Sequence, residues 1–254
     1  MGESYSKEII GDAELGQSIL FYYKLDKNGN MVWEKVIEKT NGEAVKRIND
    51  EDKYIIVGGT SNEDLLTSSG ITKGGILFME IDGMGDIKQS KVIADDQNWR
   101  EGLDVKVYEK DYIVSGVAGI SGEDNYLLRF NENMNMAWSR TTGGSGRESL
   151  KKVVISNGQI IVAGMTLSND FDGMTKPGEE NVYIAKYNMD GSLVWQKIVG
   201  SNRYEYLCDM KETADGGFAI VGTTAGTDFM GQKIDGVNED FSFIVKFDKD
   251  GNVY

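Results

Sequence analysis

The residues in this chain best equipped for chemistry are acids on its long polar stretches. They are Asp64, Asp124, Asp170, Asp172, Asp228 and Asp235, with Trp99 standing out as an off-pattern aromatic. Carboxylates displayed this way could take a divalent cation, sugar hydroxyls or a basic protein surface. Two of them facing each other could hydrolyse a glycoside by acid–base chemistry, although with 41 acidic residues no pair can be chosen from sequence. Other chemistries are closed. The chain has no His, so neither a Ser-His-Asp or Cys-His site nor a His-ligated metal site can be built. Cys208 is the single cysteine, which excludes an internal disulfide and a thiolate cluster. The net charge of −14 argues against nucleic acid and anionic membrane surfaces, both of which need a basic footprint. No cofactor or metal is expected, and no apolar run is long enough for membrane insertion.

What must position these acids is a repeat. Asp26, Asp82, Asn131, Asn188 and Asp248 each end a strand-like run and open a turn, at steps of 56, 49, 57 and 60 residues. Seven residues after the first four anchors come Trp33, Gln89, Trp138 and Trp195. Further on, apolar runs close at Gly58, Gly116, Gly164 and Gly222. The spacing within each copy is nearly constant, and the variation lies in one loop, as expected of stacked repeats. Each copy reads as four short strands rich in Val, Ile, Tyr and Phe, separated by Asn-Gly and Asp-Gly turns. In the fourth copy these fall at about 182–188, 193–199, 205–212 and 218–224. With 32 Gly, a single Pro and no sustained helical period, the chain is all-β. The fold predicted is a β-propeller of four-stranded antiparallel blades, about five in number: four clear repeats plus a split or partial fifth. The strand closed by Gly is taken as the inner strand of each blade. Tyr5–Gly11 is similar to Trp195–Gly200, which suggests a ring closed by pairing terminal strands, with an open arc as the alternative.

Two charged columns accompany the repeat. Lys24, Glu80, Arg129, Lys186 and Lys246 stand two residues before the anchors. Glu43, Glu148 and Glu205 stand ten after the Trp column, with Glu101 two places late. Together they suggest a repeated ion pair. The turns Asp26–Asn30 and Asp248–Asn252 invite a calcium reading, but Gly falls at position 4 where an EF-hand loop needs it at 6, so hairpin turns are expected. The long loops, about 60–75, 118–125, 166–181 and 224–240, emerge on one face and carry the acids named above. Loops on a rigid scaffold are where function concentrates; the plainer reading is a solvated acidic surface.

Thr213–Thr224 followed by Thr227-Asp228-Phe229, together with Phe247-Asp248, Trp138, Gly143-Gly144-Ser145-Gly146-Arg147-Glu148 and Asn169-Asp170-Phe171, resembles the SBBP-type β-propeller repeat of bacterial secreted and surface proteins. The resemblance covers nearly the whole chain from Ile19 and departs most in the second copy. It implies a propeller on an extracellular or cell-surface bacterial protein and a non-enzymatic role. Trp33, Trp138 and Trp195 are also similar to the tryptophan-docking repeats of quinone-dependent dehydrogenases. The Thr before Gly is missing, however, and the spacing is shorter, which favours blade core. The expectation is therefore one propeller domain over residues 1–254, excised from a larger protein. It would be a non-catalytic module binding protein or carbohydrate, or a structural spacer. A carbohydrate-active or quinone-dependent enzyme is the alternative.

Overall fold

The computed structural model describes residues 2–3, 18–48, 52–72, 74–93, 100–118, 124–233 and 240–254. Trp99, Asp235 and the Tyr5–Gly11 segment lie outside them. The chain is all-β, with the four-stranded antiparallel sheets of propeller blades, and its contacts gather into two compact units, Met1–Lys110 and Asp111–Tyr254.

In the first unit, β1 (Gly2–Glu3), β2 (Ile19–Leu25) and β3 (Met31–Glu38) form one sheet. The strands β4 (Thr40–Arg47), β5 (Lys53–Thr60), β6 (Gly75–Asp82) and β7 (Ile87–Ile93) form the next. A short helix, α1 (Glu63–Ser68), sits between β5 and β6, and β8 (Arg100–Tyr108) completes the unit. In the second unit, β9 (Asp111–Ala118), β10 (Asp124–Phe130) and β11 (Met136–Thr142) pair in order. So do β12 (Glu148–Ser156), β13 (Gln159–Thr166), β14 (Asn181–Tyr187) and β15 (Leu193–Val199). Last come β16 (Glu205–Glu212), β17 (Phe218–Thr224) and, beyond the small hairpin β18 (Asp228–Phe229) and β19 (Gln232–Lys233), β20 (Phe241–Phe247).

The strands match the predicted ones, but the sheets begin one strand earlier than the sequence suggests. The Gly-closed strand is the second of its sheet. Thus β4 pairs with β5, β12 with β13 and β16 with β17. The reason is local. A tight turn such as Asn157-Gly158, with both residues at positive φ, folds the Glu-led strand directly onto the Gly-closed one. The Gly-Gly-Ser-Gly stretch then carries the chain from one sheet to the next. The Gly column itself serves a bulge. Each leading strand has a register shift, at Gly42/Ala44, Leu150/Lys152 and Leu207/Asp209. A Cβ on Gly164 would stand 1.9 Å from the Ser149 carbonyl oxygen, so no larger residue fits.

The middle strands β5, β6, β13 and β14 are buried on both faces, which explains their unbroken apolar runs. Along β13, Ile160 and Val162 pack with Ile113, Leu127, Leu150, Tyr183 and Tyr187. The alternate Ile161, Ala163 and Met165 pack with Ile184, Leu207, Phe218 and Phe247. In the first unit, Leu20, Tyr22, Ile56, Leu77 and Met79 form a comparable layer.

The anchor columns hold turns and stacking. Asp26 Oδ1 accepts the amides of Asn28 and Asn30 at 2.8 and 2.9 Å, and Asp82, Asn131 and Asp248 repeat the pattern on their own turns. Each Trp reaches the turn one sheet on. Trp33 Nε1 donates to Gly83 O and Trp138 Nε1 to Met189 O, both at 2.9 Å, with the rings lying over Gly85 and Gly191. Lys24 and Arg129, the cross-strand partners of these Trp residues, donate to the same carbonyls. The basic column therefore sits at the turn end, far from Glu148 and Glu205. The expected ion pair is replaced by pairs with Asp52, Asp111 and Asp215. The two departures in the second copy are a single event: Glu80 stands opposite Gln89 and accepts its amide at 2.7 Å. In sequence, that copy is followed by the turn with Met134, at φ 55°, where the others have Gly.

Candidate binding face

The long-loop end of the second unit is built on two buried glutamates. Glu148, 1% exposed, stands opposite Thr166 at the start of β12. It accepts the Thr166 hydroxyl at 2.9 Å, the Gly144 amide at 3.1 Å and the Ser168 hydroxyl. Glu205, 2% exposed, stands opposite Thr224 and accepts the Thr224 hydroxyl at 2.7 Å, the Ser201 hydroxyl and the Asn181 amide. Buried carboxylates need such donors, and here they tie three segments together: the crossover, the leading strand and the long loop. The threonines add a second bond each, accepting the amides of Ser168 and Gly226, two residues on, at 3.1 Å.

The first unit does this differently. Counting from Trp33 assigns Glu43 to the acidic column, but strand pairing puts Thr40 opposite Thr60, and Glu43 falls in the bulge. Its crossover is shorter, and a Thr40–Thr60 hydroxyl pair at 2.8 Å replaces the glutamate hub. Asn41 accepts the Gly59 amide and donates to Glu101.

The acids singled out in the sequence fall into two groups. Asp170 holds a loop, and Asp124 stands beside one. Asp170 accepts the Ser145 amide at 2.8 Å and its hydroxyl at 2.9 Å, and these bonds keep its carboxyl below the usual range. Asp124 borders Gly143 beside Glu148, where burial and the neighbouring Glu148 charge raise its pKa. Asp172 and Asp228 point to solvent, the former at φ 43° in the turn Phe171–Gly173, whose Phe171 is buried on Tyr183. Asp64, in the other unit, is exposed in the first turn of α1 behind its Asn62 cap.

Of these, Asp228 meets a concavity of about 470 Å³, lined also by Pro177, Ser201, Asn202, Met230 and Ile198. The Glu205 hub holds its wall, since Ser201 both donates to Glu205 and accepts the Arg203 amide at 3.1 Å. Sequence reasoning found Asp228 but not Asn202 or Pro177, which belong to the neighbouring crossover and loop and carry no repeat signal. The pair Asp124–Glu148 brings two carboxylates together, but Glu148 is buried and fully engaged, so no glycosidic bond can reach it. Among the described residues no group of three or more acidic, His or Cys side chains could hold a metal ion, and no helix is long and apolar enough to cross a membrane.

No family model matches this chain, and no curated protein matches it. Solved structures similar to it include a subtype N10 neuraminidase-like protein of A/little yellow-shouldered bat/Guatemala/060/2010 (TM-score 0.46, 10% identity, 85% of this chain and 57% of that one). A neuraminidase-like protein from A/bat/Guatemala/164/2009 gives 0.46 and 12%, over 84% and 55% of the two chains. A subtype N11 neuraminidase-like protein of A/flat-faced bat/Peru/033/2010 gives 0.45 and 10%, over 90% and 69%. The chain thus spans little more than half the length of the first two. At these values neither fold nor activity is carried across, and both rest on this chain's own sheets and side chains.

Proposed function

We propose that this chain is a non-catalytic propeller module that binds a hydroxyl-rich ligand, a carbohydrate, at the loop end of its second unit. The observation that carries the reading is the concavity beside Asp228. There Asp228, Asn202 and Ser201 can meet hydroxyls while Pro177, Met230 and Ile198 offer apolar contact, the mixture typical of small-ligand sites. Loops tied down by Glu148 and Glu205 lose little further freedom on binding, which favours affinity. The repeats' resemblance to SBBP-type propellers supports a secreted or cell-surface setting in a bacterium. The test is a glycan array read with the wild type and with Asp228→Ala. The expected result is a glycan bound by the wild type and lost, by about tenfold or more in affinity, in the variant. A glycan bound equally by both would move the site elsewhere. Binding of no glycan, calcium or basic protein would leave a structural spacer.

A further inference from the structure

The two glutamate hubs of the second unit are copies of one design with a single chemical difference. Asp124 and Asn181 occupy the same place in successive sheets. Asp124 stands opposite Ala118 at the head of β10, and Asn181 opposite Thr166 at the head of β14. Each looks onto the glycine that opens the crossover. A Cβ on Gly143 would lie 2.1 Å from Asp124 Oδ1 and 3.0 Å from Glu148 Oε2. One on Gly200 would lie 2.5 Å from Asn181 Nδ2 and 2.2 Å from Glu205 Oε2. In the second case an amide donates to a buried carboxylate. In the first, two carboxyls occupy the same geometry.

We propose that Asp124 is held protonated and donates to Glu148, making this hub a pH-sensitive version of the Asn181–Glu205 hub that releases the Gly143–Glu148 crossover as pH rises. Glu148 is fixed as the acceptor because Thr166, Ser168 and Gly144 already donate to it. Two charged groups flank the pair in the crossover and the long loop. Asp170, across Ser145, adds a further negative charge, and Arg147 precedes Glu148 on the crossover. Burial and the Glu148 charge both favour the neutral form of Asp124. The sign follows: the folded carboxyl titrates above its unfolded value of about 3.9, so its contribution is complete below that pH and is lost as pH rises through the folded value. In the other hub the corresponding donor, Asn181, is an amide with no proton to lose.

Hydrogen exchange of the whole protein, corrected for intrinsic rates, tests this at the Gly144 and Gly146 amides, with the Arg203 amide as the internal control. Between pH 4 and pH 7 wild-type protection at Gly144 and Gly146 should fall by about tenfold, while Arg203 stays level. Asp124→Asn should abolish the fall. An unchanged fall in that variant would overturn the proposal, as would an Asp124 carboxyl that titrates at the ordinary aspartate value by carbon-13 NMR.

Discussion

The sheet β12–β15 and the sheet β16, β17, β20 share register and bulge in their first three strands, but the first has its fourth strand and a sheet packed against it, whereas the second has only the beginning of a fourth strand, the Phe247–Val253 bridge. The effect on the third strand is large. All of β14 is buried, whereas β20 alternates between buried and open positions. Ile184 and Ile244 hold equivalent places, opposite Ala163 and Val221, yet Ile184 is 0% exposed and Ile244 80%. Ile184 packs against Leu207 and Phe218 of the next sheet, so burial at this position is set by the facing sheet and not by the residue type.

That contrast can be broken by substitution. Ile184→Ala should cost about 2–5 kcal/mol in chemical denaturation, the range for a buried large-to-small change. A cost below 1 kcal/mol would mean that the layer between the two sheets is loosely packed. Glu205→Ala should follow at roughly 2–4 kcal/mol, because it strands the Ser201, Thr224 and Asn181 donors, each worth about 1–3 kcal/mol when buried without an acceptor. The Trp column sharpens the comparison further. Trp138 donates to Met189 O on the complete sheet's turn, whereas among the described residues the Trp195 indole N–H is buried without a partner and only Lys186 donates to the Lys249 carbonyl, at 2.7 Å. Trp138→Phe should therefore cost about 1 kcal/mol and Trp195→Phe distinctly less, compared by thermal melts of the two variants. At the small end, Ile244→Ala should change stability by less than about 0.5 kcal/mol.

A pH series adds an opposite limb to the one expected from Asp124. Hydrogen bonds from Asn30 hold the Asp26 carboxyl low, and those from Asn252 do the same for Asp248. Lys88 and backbone amides bring Asp82 to about 2. Depressed values stabilise above the unfolded value of about 3.9 and are lost as pH falls through the folded one. Melting temperature should accordingly fall from about pH 4 toward pH 2, most gently in variants with Asn at these turns.

Much of this was legible in the chain. The strands, the turn acids, the Trp spacing and the crowding of acids onto long loops follow from alternation and from Asp-Gly and Asn-Gly chemistry, which act over a few residues. The phase of the sheets was not, because a repeat has no intrinsic start, and turns as different as Asn157-Gly158 and Thr213–Gly217 close the same pair of strands. The Glu43 assignment failed for a related reason: a shorter crossover shifts register, and counting residues cannot see a shift that pairing corrects. Asp228 was found as an acid on a loop. Its partners Asn202 and Pro177 were not, since they come from other segments and vary without period. The Asp124–Asn181 correspondence is visible only once strand register is known.

The tryptophan docks have a mechanical consequence. In the second unit the indole of one sheet is seated on the turn of the following one, twice in succession, at Gly191 and at Gly251. A load applied to the ends of this unit meets those seats in series. Peeling the last sheet must first pull Trp195 off its glycine, and only then does the Trp138 seat come under tension. Extension under force should therefore proceed in discrete, ordered rips from the carboxyl-terminal side.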